Sequence, residues 1–234
     1  MASNDLVQLR PEGLHCPAGD FWIDPWRPVP RALITHGHGD HARWGMGSYL
    51  ATRESLGILR TRLGPEAAIE TVEYGAPLDL GDVRVSFHPA GHVLGSAQIR
   101  IERGDETWVV SGDYKRAHDP TCAPFEVVPC DVLITEATFG LPVYRWVPGA
   151  QVAADVLSWW DENAARGRAS VLFCYALGKA QRLLAEMALQ ADRVVYVHGA
   201  LLELVAVYRA HGIRMLPTEA VSEQGRGKDY AGAL

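Results

Sequence analysis

Three histidines and one aspartate stand within six positions of the chain, directly after the short apolar run Ala32–Thr35. The motif is His36-Gly37-His38-Gly39-Asp40-His41. Because alternate residues of an extended backbone point to the same side, His36 and His38 are expected to face one space. The two glycines permit backbone angles that other residues resist, and we expect Asp40 and His41 at the start of a following helix. Imidazole and carboxylate groups that converge in this way favour Zn²⁺ or a similar metal ion.

Two further ligand candidates stand where predicted strands end. His92 lies in Pro89–Ala97, a passage between two strands, and Asp113 follows the strand Trp108–Val110. Each side chain is therefore expected to face the same rim as the histidine motif. A hydrolytic site with one metal ion needs three protein ligands and an open position, whereas a site with two ions needs more ligands. A carboxylate such as that of Asp113 can bridge two ions.

Composition is typical of a soluble globular protein. The 234 residues are 48% apolar and include 22 Lys+Arg and 28 Asp+Glu, which gives a formal net charge of −6. The apolar runs fall far short of the roughly 20 residues that a membrane-spanning helix needs. The acidic balance argues mildly against binding of nucleic acid by bulk electrostatics. Four scattered cysteines without CxxC spacing, and an N-terminus without a signal-peptide core, predict a cytoplasmic protein.

Apolar patterns divide the chain into a strand-rich first part and an α/β second part. In the first part we predict strands at Ala32–Thr35, Val83–His88, Ala97–Ile101, Trp108–Val110 and Asp131–Thr135, a hairpin turn at Glu102–Glu106 and a helix within Thr52–Leu63. In the second part we predict helices at Gln151–Arg166, Lys179–Leu189 and Ala200–His211, and strands at Ser170–Cys174 and Arg193–Val197. Strands that alternate with helices favour βαβ units on a parallel sheet.

Taken together, the candidate ligands resemble those of the metallo-β-lactamase fold. His36, His38, Asp40 and His41 match its HxHxDH motif, His92 matches its next ligand, and Asp113 matches its bridging aspartate. Asp24 is similar to the acid that precedes this motif in the fold and orients its ligands. On the sequence alone, Asp24 would be a turn residue at a strand end, because Pro25 follows it.

Further segments resemble the β-CASP nucleases, a family that processes DNA or RNA. These segments are Ala90–Ala97 (AGHVLGSA), Ser111–Lys115 (SGDYK) and Glu136–Gly140 (EATFG), and Ala176–Leu184 (ALGKAQRLL) is similar to a helix start in the family's cap. Glu136 matches the family's acid after the bridging aspartate. The resemblance is greatest to the bacterial DNA-ligase-associated exonucleases, often labelled mRNA 3′-end processing factors, and covers essentially the whole chain. It implies an α/β fold, with an αββα sandwich over residues 1–145 and an α/β cap over residues 146–234.

One departure from the family concerns histidines near the end of the chain. In the family, the chain returns from the cap to the catalytic domain and supplies two more histidines. After His92 this sequence has His118, His198 and His211, and none of them lies in a matching context. We therefore expect a C-terminal part of the family's fold to be missing here. We expect His198, at the end of a cap strand, to be structural or to lie at the cap cleft, and His211 to end a helix.

The resemblance also implies a chemistry. It implies two divalent ions, zinc or alternatively manganese, and a hydroxide between them that attacks phosphorus. The implied ligands are His36, His38 and His92 for the first ion and Asp40 and His41 for the second, with Asp113 as the bridge. Catalytic roles are implied for Asp40, Asp113 and Glu136, of which Glu136 would help to protonate the leaving oxygen through a histidine that has no match in this sequence. Two ions add about +4 of local charge, so the site can be positive within an acidic chain.

Candidates for contact with nucleic acid come from residues near these motifs. The candidates for phosphate contact are Lys115, Arg116, Lys179 and Arg182. The candidates for base stacking are Trp146, Trp159 and Trp160. Trp160 falls on an apolar helix face and is therefore expected in the core. The expected function is a metal-dependent nuclease, an exonuclease on DNA ends in repair, together with a DNA ligase or helicase. The alternatives are an RNA-processing nuclease of the same family, a hydrolase of small esters or thioesters, and a non-catalytic nucleic-acid-binding subunit. The last should have lost ligand residues and is disfavoured because the following are all present: Asp24, His36, His38, Asp40, His41, His92 and Asp113.

Overall fold

A computed structural model describes residues 5–222 and 227–234 of the chain. They form two compact units, with the boundary between Thr138 and Phe139. The architecture is mixed α/β with three sheets, two in the N-terminal unit and one in the C-terminal unit. Among the described residues, no helix has the length and apolar character needed to cross a membrane.

The first sheet of the N-terminal unit keeps its strands in chain order. They are β1 (Gln8–Arg10), β2 (Gly13–Cys16), β3 (Phe21–Ile23), β4 (Arg31–Leu33), β5 (Ser48–Thr52) and β6 (Ile69–Val72). Strands β1 to β3 are antiparallel, and β3 to β6 are parallel. Between β5 and β6, the Thr52 hydroxyl caps a 3-10 turn that leads into helix α1 (Leu56–Leu63). The helix predicted within Thr52–Leu63 is therefore confirmed, with its first turn in the tighter 3-10 form.

The second sheet carries the strands whose alternating pattern the sequence makes plain. They are β7 (Leu78–Leu80), β8 (Val83–Pro89), β9 (Ala97–Arg103), β10 (Glu106–Val110) and β11 (Val132–Ile134). Strands β7 to β10 are antiparallel neighbours, and β11 runs parallel to β10. The structure confirms the predicted strands β8, β9, β10 and β11 and the hairpin between β9 and β10.

The two sheets pack face to face over the main hydrophobic core. Phe21 and Ile23 of the first sheet and Phe87, Ile99 and Ile101 of the second are almost fully buried in this cluster. Burial of one such side chain contributes about 1.5–3 kcal/mol. This core fixes the two sheets against each other, and the ends of β4, β8 and β10 supply the residues of the candidate site.

The outer faces of the two sheets are covered in different ways. Ala32 and Tyr49 of the first sheet pack with Leu59 of α1, which forms a helical layer on that side. On the second sheet, the Gln98 side chain donates to the carbonyl oxygens of Pro89 and Glu126. At Gln98, this second outer face is thus covered by the irregular segment that contains Glu126, whereas an αββα sandwich has a helix on this face.

The C-terminal unit combines helices with a small parallel sheet. Its elements are α2 (Gly149–Ala165), α3 (Lys179–Met187), β12 (Val195–Val197), α4 (Gly199–Ala210), β13 (Thr218–Ala220) and a 3-10 turn at Gly227–Tyr230. Strands β12 and β13 pair in parallel. Trp160 is buried at 3% exposure and donates from Nε1 to the Gly232 carbonyl, which confirms its predicted place in the core.

One expectation for this unit is wrong. Ser170–Cys174 forms no strand among the described residues, although the Ser170 amide donates to the Ala233 carbonyl. Strand propensity depends on a paired, half-buried setting, yet Phe173 is 96% exposed. His198, by contrast, follows directly after β12, as expected, and it also caps helix α4, because its Nδ1 accepts the Ala200 N–H at 3.2 Å.

Candidate metal centre

The histidine motif leaves β4 at a point that is tied to both sheets. The Ile34 amide donates to the Leu50 carbonyl of the first sheet, and the Thr35 carbonyl accepts the Ala97 amide at the start of β9. The chain then turns so that His36 is fully buried, and its Nε2 lies 2.9 Å from Nδ1 of His38. The local backbone therefore brings two imidazoles of the motif into contact, with their ring planes nearly perpendicular, and their spacing predicts that they share one side.

The part of the motif that carries Asp40 and His41 is a turn. The amides of His41 and Ala42 both donate to the His38 carbonyl at 3.2 and 2.8 Å, and no helix follows among residues 39–47. The expectation that Asp40 and His41 begin a helix is therefore wrong. A single turn still aims the His41 ring inward, and Asp40 stays at the rim with 74% of its side chain exposed.

His92 arrives from the connection between β8 and β9. The amides of His92 and Val93 donate to the Ser96 hydroxyl at 3.0 and 3.2 Å, which closes this short loop. In the closed loop, His92 Nε2 lies 3.2 Å from His38 Nδ1. Ser96 thus positions a candidate ligand from four residues away, a role that its sequence context does not reveal.

Asp113 follows β10 and lies between two groups of histidines. Its Oδ2 is 3.9 Å from His36 Nε2 and 3.7 Å from His92 Nε2, whereas its Oδ1 is 3.4 Å from His41 Nε2. The preceding Gly112 has φ of +55°, and a Cβ there would come within 2.5 Å of the Thr35 hydroxyl. Glycine is therefore required for the close approach that turns Asp113 toward the histidines.

Four side chains form a compact set of donor atoms. One nitrogen from each of His36, His38 and His92 and one oxygen of Asp113 lie within 4.8 Å of one another. Imidazole nitrogen with carboxylate oxygen suits zinc and related first-row ions. The residues present therefore fit a divalent metal ion. His41 and Asp40 continue this set on the other side of Asp113, with His41 Nε2 3.7 Å from Asp40 Oδ2.

Asp24 organises this set from behind. Its Oδ1 accepts the Thr35 amide at 2.8 Å, and its Oδ2 accepts the Thr35 hydroxyl at 2.5 Å and His41 Nδ1 at 2.7 Å. The Thr35 hydroxyl also lies 3.1 Å from His36 Nδ1. Because that hydroxyl donates to Asp24, it accepts from His36 Nδ1–H, which assigns the ring proton to Nδ1 and leaves a lone pair on Nε2. The sequence did not single out Thr35, which links Asp24 to two candidate ligands.

The protonation states of the histidines follow from this crowding. Burial, with the neighbouring histidines, holds the pKa of His36 well below its ordinary value. Burial and the charge of His38 lower the pKa of His92 to about 4. Burial also opposes protonation of His41, but its hydrogen bonds to Asp113 and Asp24 outweigh that effect and raise its pKa to about 10. His36 and His92 are thus neutral at physiological pH, the form that binds a metal ion.

Glu136 lies just past β11, near the segment that carries Asp113. Its carboxylate accepts the amides of Tyr114 at 3.5 Å and Thr138 at 2.7 Å, and its own amide donates to the Ser111 hydroxyl at 3.4 Å. These contacts hold the Glu136 carboxylate next to the backbone of Tyr114, the residue that follows Asp113 in the sequence.

The predicted phosphate-binding residues lie in different settings. Lys115 donates from Nζ to Asp119 at 2.9 Å, and Arg116 is exposed. In the C-terminal unit, exposed Lys179 lies over the Tyr175 ring with 5.7 Å between Nζ and the ring centroid, and half-buried Arg182 belongs to α3. Their contact with nucleic acid stays a prediction.

Comparisons with known proteins place these observations in a family. No family model matches the sequence. A protein named probable DNA ligase from Opitutus terrae is 32% identical over 207 residues, which are 88% of this chain and 20% of that protein. Endoribonuclease YSH1 from Gibberella zeae is 32% identical over 70% of this chain and 19% of its own length. Cleavage and polyadenylation specificity factor 73 from Drosophila melanogaster is 29% identical over 73% of this chain and 26% of its own length.

The fold has a counterpart among solved structures. A crystal structure of a protein of unknown function from Enterococcus faecalis aligns with a TM-score of 0.59 at 14% identity, over 84% of this chain and 52% of that one. The chain spans about a fifth to a quarter of the length of the curated relatives it matches. Its motif, its site geometry and these relatives agree, and the chain belongs to the β-CASP family of metallo-β-lactamase-fold proteins.

Proposed function

We propose that this chain is the metal-dependent phosphodiesterase part of a nuclease, and that it acts as an exonuclease on DNA ends. The observation that carries the proposal is the set of three imidazole nitrogens and one carboxylate oxygen within 4.8 Å. A relative named for DNA ligation aligns with 88% of the chain, which supports DNA as the substrate. The relatives named as endoribonucleases favour RNA as the second candidate.

Divalent ions held by these residues would neutralise charge on the phosphate and lower the pKa of a water molecule for attack. His36, His38 and His92 would hold the first ion, Asp40 and His41 the second, and Asp113 would contact both. The two oxygens of Asp113 already face different histidines, at 3.7 Å from His92 and 3.4 Å from His41. This division of its oxygens supports the bridging role.

The remaining roles belong to protons and orientation. Asp24 and Thr35 keep the proton of His36 on Nδ1, so that Nε2 stays available without rotation of the ring. We assign to Glu136, the acid that follows the Asp113 segment, a positioning role: two amides donate to its carboxylate and hold it in place, where it can accept a hydrogen bond from the group that protonates the leaving oxygen.

The test is hydrolysis of matched substrates by the purified chain. A 5′-labelled single strand of DNA, the same sequence as RNA, and a small thioester are each incubated with zinc or manganese and with EDTA. We expect metal-dependent cleavage of DNA that is lost in His36→Ala/His38→Ala and kept in His118→Ala, an exposed histidine. Faster cleavage of RNA would favour the second candidate, and turnover of the thioester alone would contradict a nuclease.

A further inference from the structure

A cleft of about 460 Å³ lies beside the metal-binding turn within the N-terminal unit. Its side chains combine two tryptophans with three arginines. This Trp–Arg cleft is lined by Trp26, Arg27, Arg43, Trp44 and Arg62, together with backbone and apolar atoms of Pro28, Gly39, Ala42, Gly45 and Met46. No acidic side chain is among these lining residues, in a protein whose formal net charge is −6. The cleft therefore concentrates positive charge against the trend of the chain.

The cleft is attached directly to the turn that carries the ligands. Arg62 donates from Nε to the Gly37 carbonyl at 2.6 Å, and Arg43 donates from Nε to the Asp40 carbonyl at 3.4 Å. Both carbonyls belong to the HxHxDH motif. A molecule in the cleft would thus lie against the turn that carries Asp40 and His41, since Gly39 and Ala42 on either side of them line the cleft.

The two tryptophans offer flat apolar surface to solvent. Trp44 is 81% exposed, and Trp26 is 43% exposed with its Nε1 pinned to the Pro11 carbonyl at 2.7 Å. Exposed indoles among arginines are typical of sites where unpaired bases stack and phosphates are neutralised. Paired bases are already stacked on each other inside a duplex, so their faces are not offered to an indole.

We propose that the Trp–Arg cleft binds an unpaired stretch of the nucleic-acid strand that flanks the bond to be cleaved. Its indoles stack on bases and its guanidinium groups contact backbone phosphates. The inference rests on the proposed nuclease function and deepens it, since it assigns single-stranded substrate to a surface of the same unit. Stacking and phosphate contact do not select a base, so the binding is independent of sequence.

The same unit provides a matched control surface. A second cleft, of about 380 Å³, is lined by Asp79, Asp82, Arg84, Glu102 and Arg103, so its charge is mixed. Arg84 there is exposed and paired with Asp79 at 2.9 Å. Replacing Arg84 removes one positive charge from the unit without touching the Trp–Arg cleft.

The experiment measures binding of a fluorescein-labelled oligothymidylate by anisotropy in EDTA, where metal-dependent cleavage cannot occur. We expect Trp44→Ala to raise the Kd by about 5- to 150-fold, and Trp44→Phe to restore most of the affinity. Arg27→Ala and Arg43→Ala should each lower the slope of log K against log salt by about 0.7. Arg84→Ala should change neither quantity, and duplex DNA should compete poorly.

Three results would overturn the proposal. The first is wild-type affinity for the oligothymidylate in Trp44→Ala, and the second is a loss of affinity in Arg84→Ala as large as that in the cleft variants. The third is competition by polyglutamate as strong as that by unlabelled oligonucleotide, which would make an acidic protein the occupant of the cleft. Binding and cleavage fail separately. A chain that binds through the cleft but cleaves no nucleic acid refutes the proposed function alone, whereas an active chain with unaltered Trp44→Ala binding refutes this inference alone.

Discussion

Replacing Asp24 by asparagine removes the negative charge of this side chain while keeping its size and shape. The Asp24 carboxylate accepts His41 Nδ1 at 2.7 Å, which directs His41 Nε2 to Asp113. The buried Thr35 amide is an obligate donor to Oδ1 at 2.8 Å, so in Asp24→Asn the amide oxygen must stay there. The new amide nitrogen then donates to His41 Nδ1, and a neutral His41 must carry its proton on Nε2, the atom needed as a ligand.

The size of the effect follows from these contacts. Loss of a partner that fixes the ring of a ligand costs about 10- to 100-fold in metal affinity. The metal-free protein also loses a hydrogen bond to a charged group, about 1.5–3 kcal/mol of unfolding free energy. The His41 and Asp24 side chains are 19% and 13% exposed, so solvent screens this pair only weakly.

The pH dependence of that loss has a definite sign. In the metal-free protein, the pKa of His41 is raised from 6.5 to about 10, so folding favours the protonated form. Its stabilisation is fully present below pH 6.5 and is lost as the pH rises through about 10. The stability difference between the wild type and Asp24→Asn should therefore shrink over this range.

Urea unfolding in EDTA at several pH values, and competition titration with a zinc chelator, measure the two effects. Asp79→Asn is the control, since Asp79 lies on an exposed edge strand and pairs with Arg84 away from the site. Wild-type zinc affinity in Asp24→Asn would refute the tautomer argument. A stability difference that grows between pH 6.5 and 10 would refute the charge assignment of His41.

Two further predictions concern the framework of the site. Gly95→Ala should lower the unfolding free energy more than Gly104→Ala, because a Cβ at Gly95 would overlap the Ser55 amide nitrogen, whereas no described atom lies within 4 Å of a Cβ at Gly104. Both glycines have positive φ, which alone costs alanine about 1–2 kcal/mol. Equal losses of unfolding free energy in urea would contradict the predicted overlap at Gly95. Cys16 is fully buried, and burial raises the pKa of its thiol, so iodoacetamide should alkylate Cys130 of the native protein long before Cys16. Mass spectrometry of samples taken over time measures the order of alkylation. Equal rates at the two cysteines would contradict the packing around Cys16.

The sequence predicted well what depends on short-range spacing. His36 and His38 alternate on extended backbone, and the structure brings their rings into contact. Thr35 and Ser96 were missed because their hydroxyls act through the fold: Thr35 binds a carboxylate eleven positions earlier, and Ser96 closes a loop around His92. Such roles have no periodic signal. The helix expected at Asp40 failed for a related reason, since one turn of hydrogen bonds forms there and does not continue.

Strands, too, were predictable where a local pattern of apolar residues was present in the sequence. The long strand β8 places Val83, Val85 and Phe87 in the main core, as the alternation in the sequence predicts, and Ser86 is buried as well. Short edge strands such as β1 and β7 bury too few side chains to produce that pattern. In the opposite direction, Ser170–Cys174 has the composition of a strand, yet strand formation requires a paired neighbour that composition does not supply.

Metal content tests the central claim most directly. Wild type, His36→Ala/His38→Ala and His118→Ala are loaded with zinc, desalted and measured by inductively coupled plasma mass spectrometry. The site described here predicts bound zinc in the wild type and in His118→Ala, and a loss of bound zinc in the double variant. An unchanged metal-to-protein ratio in the double variant would contradict the assignment of these residues as ligands.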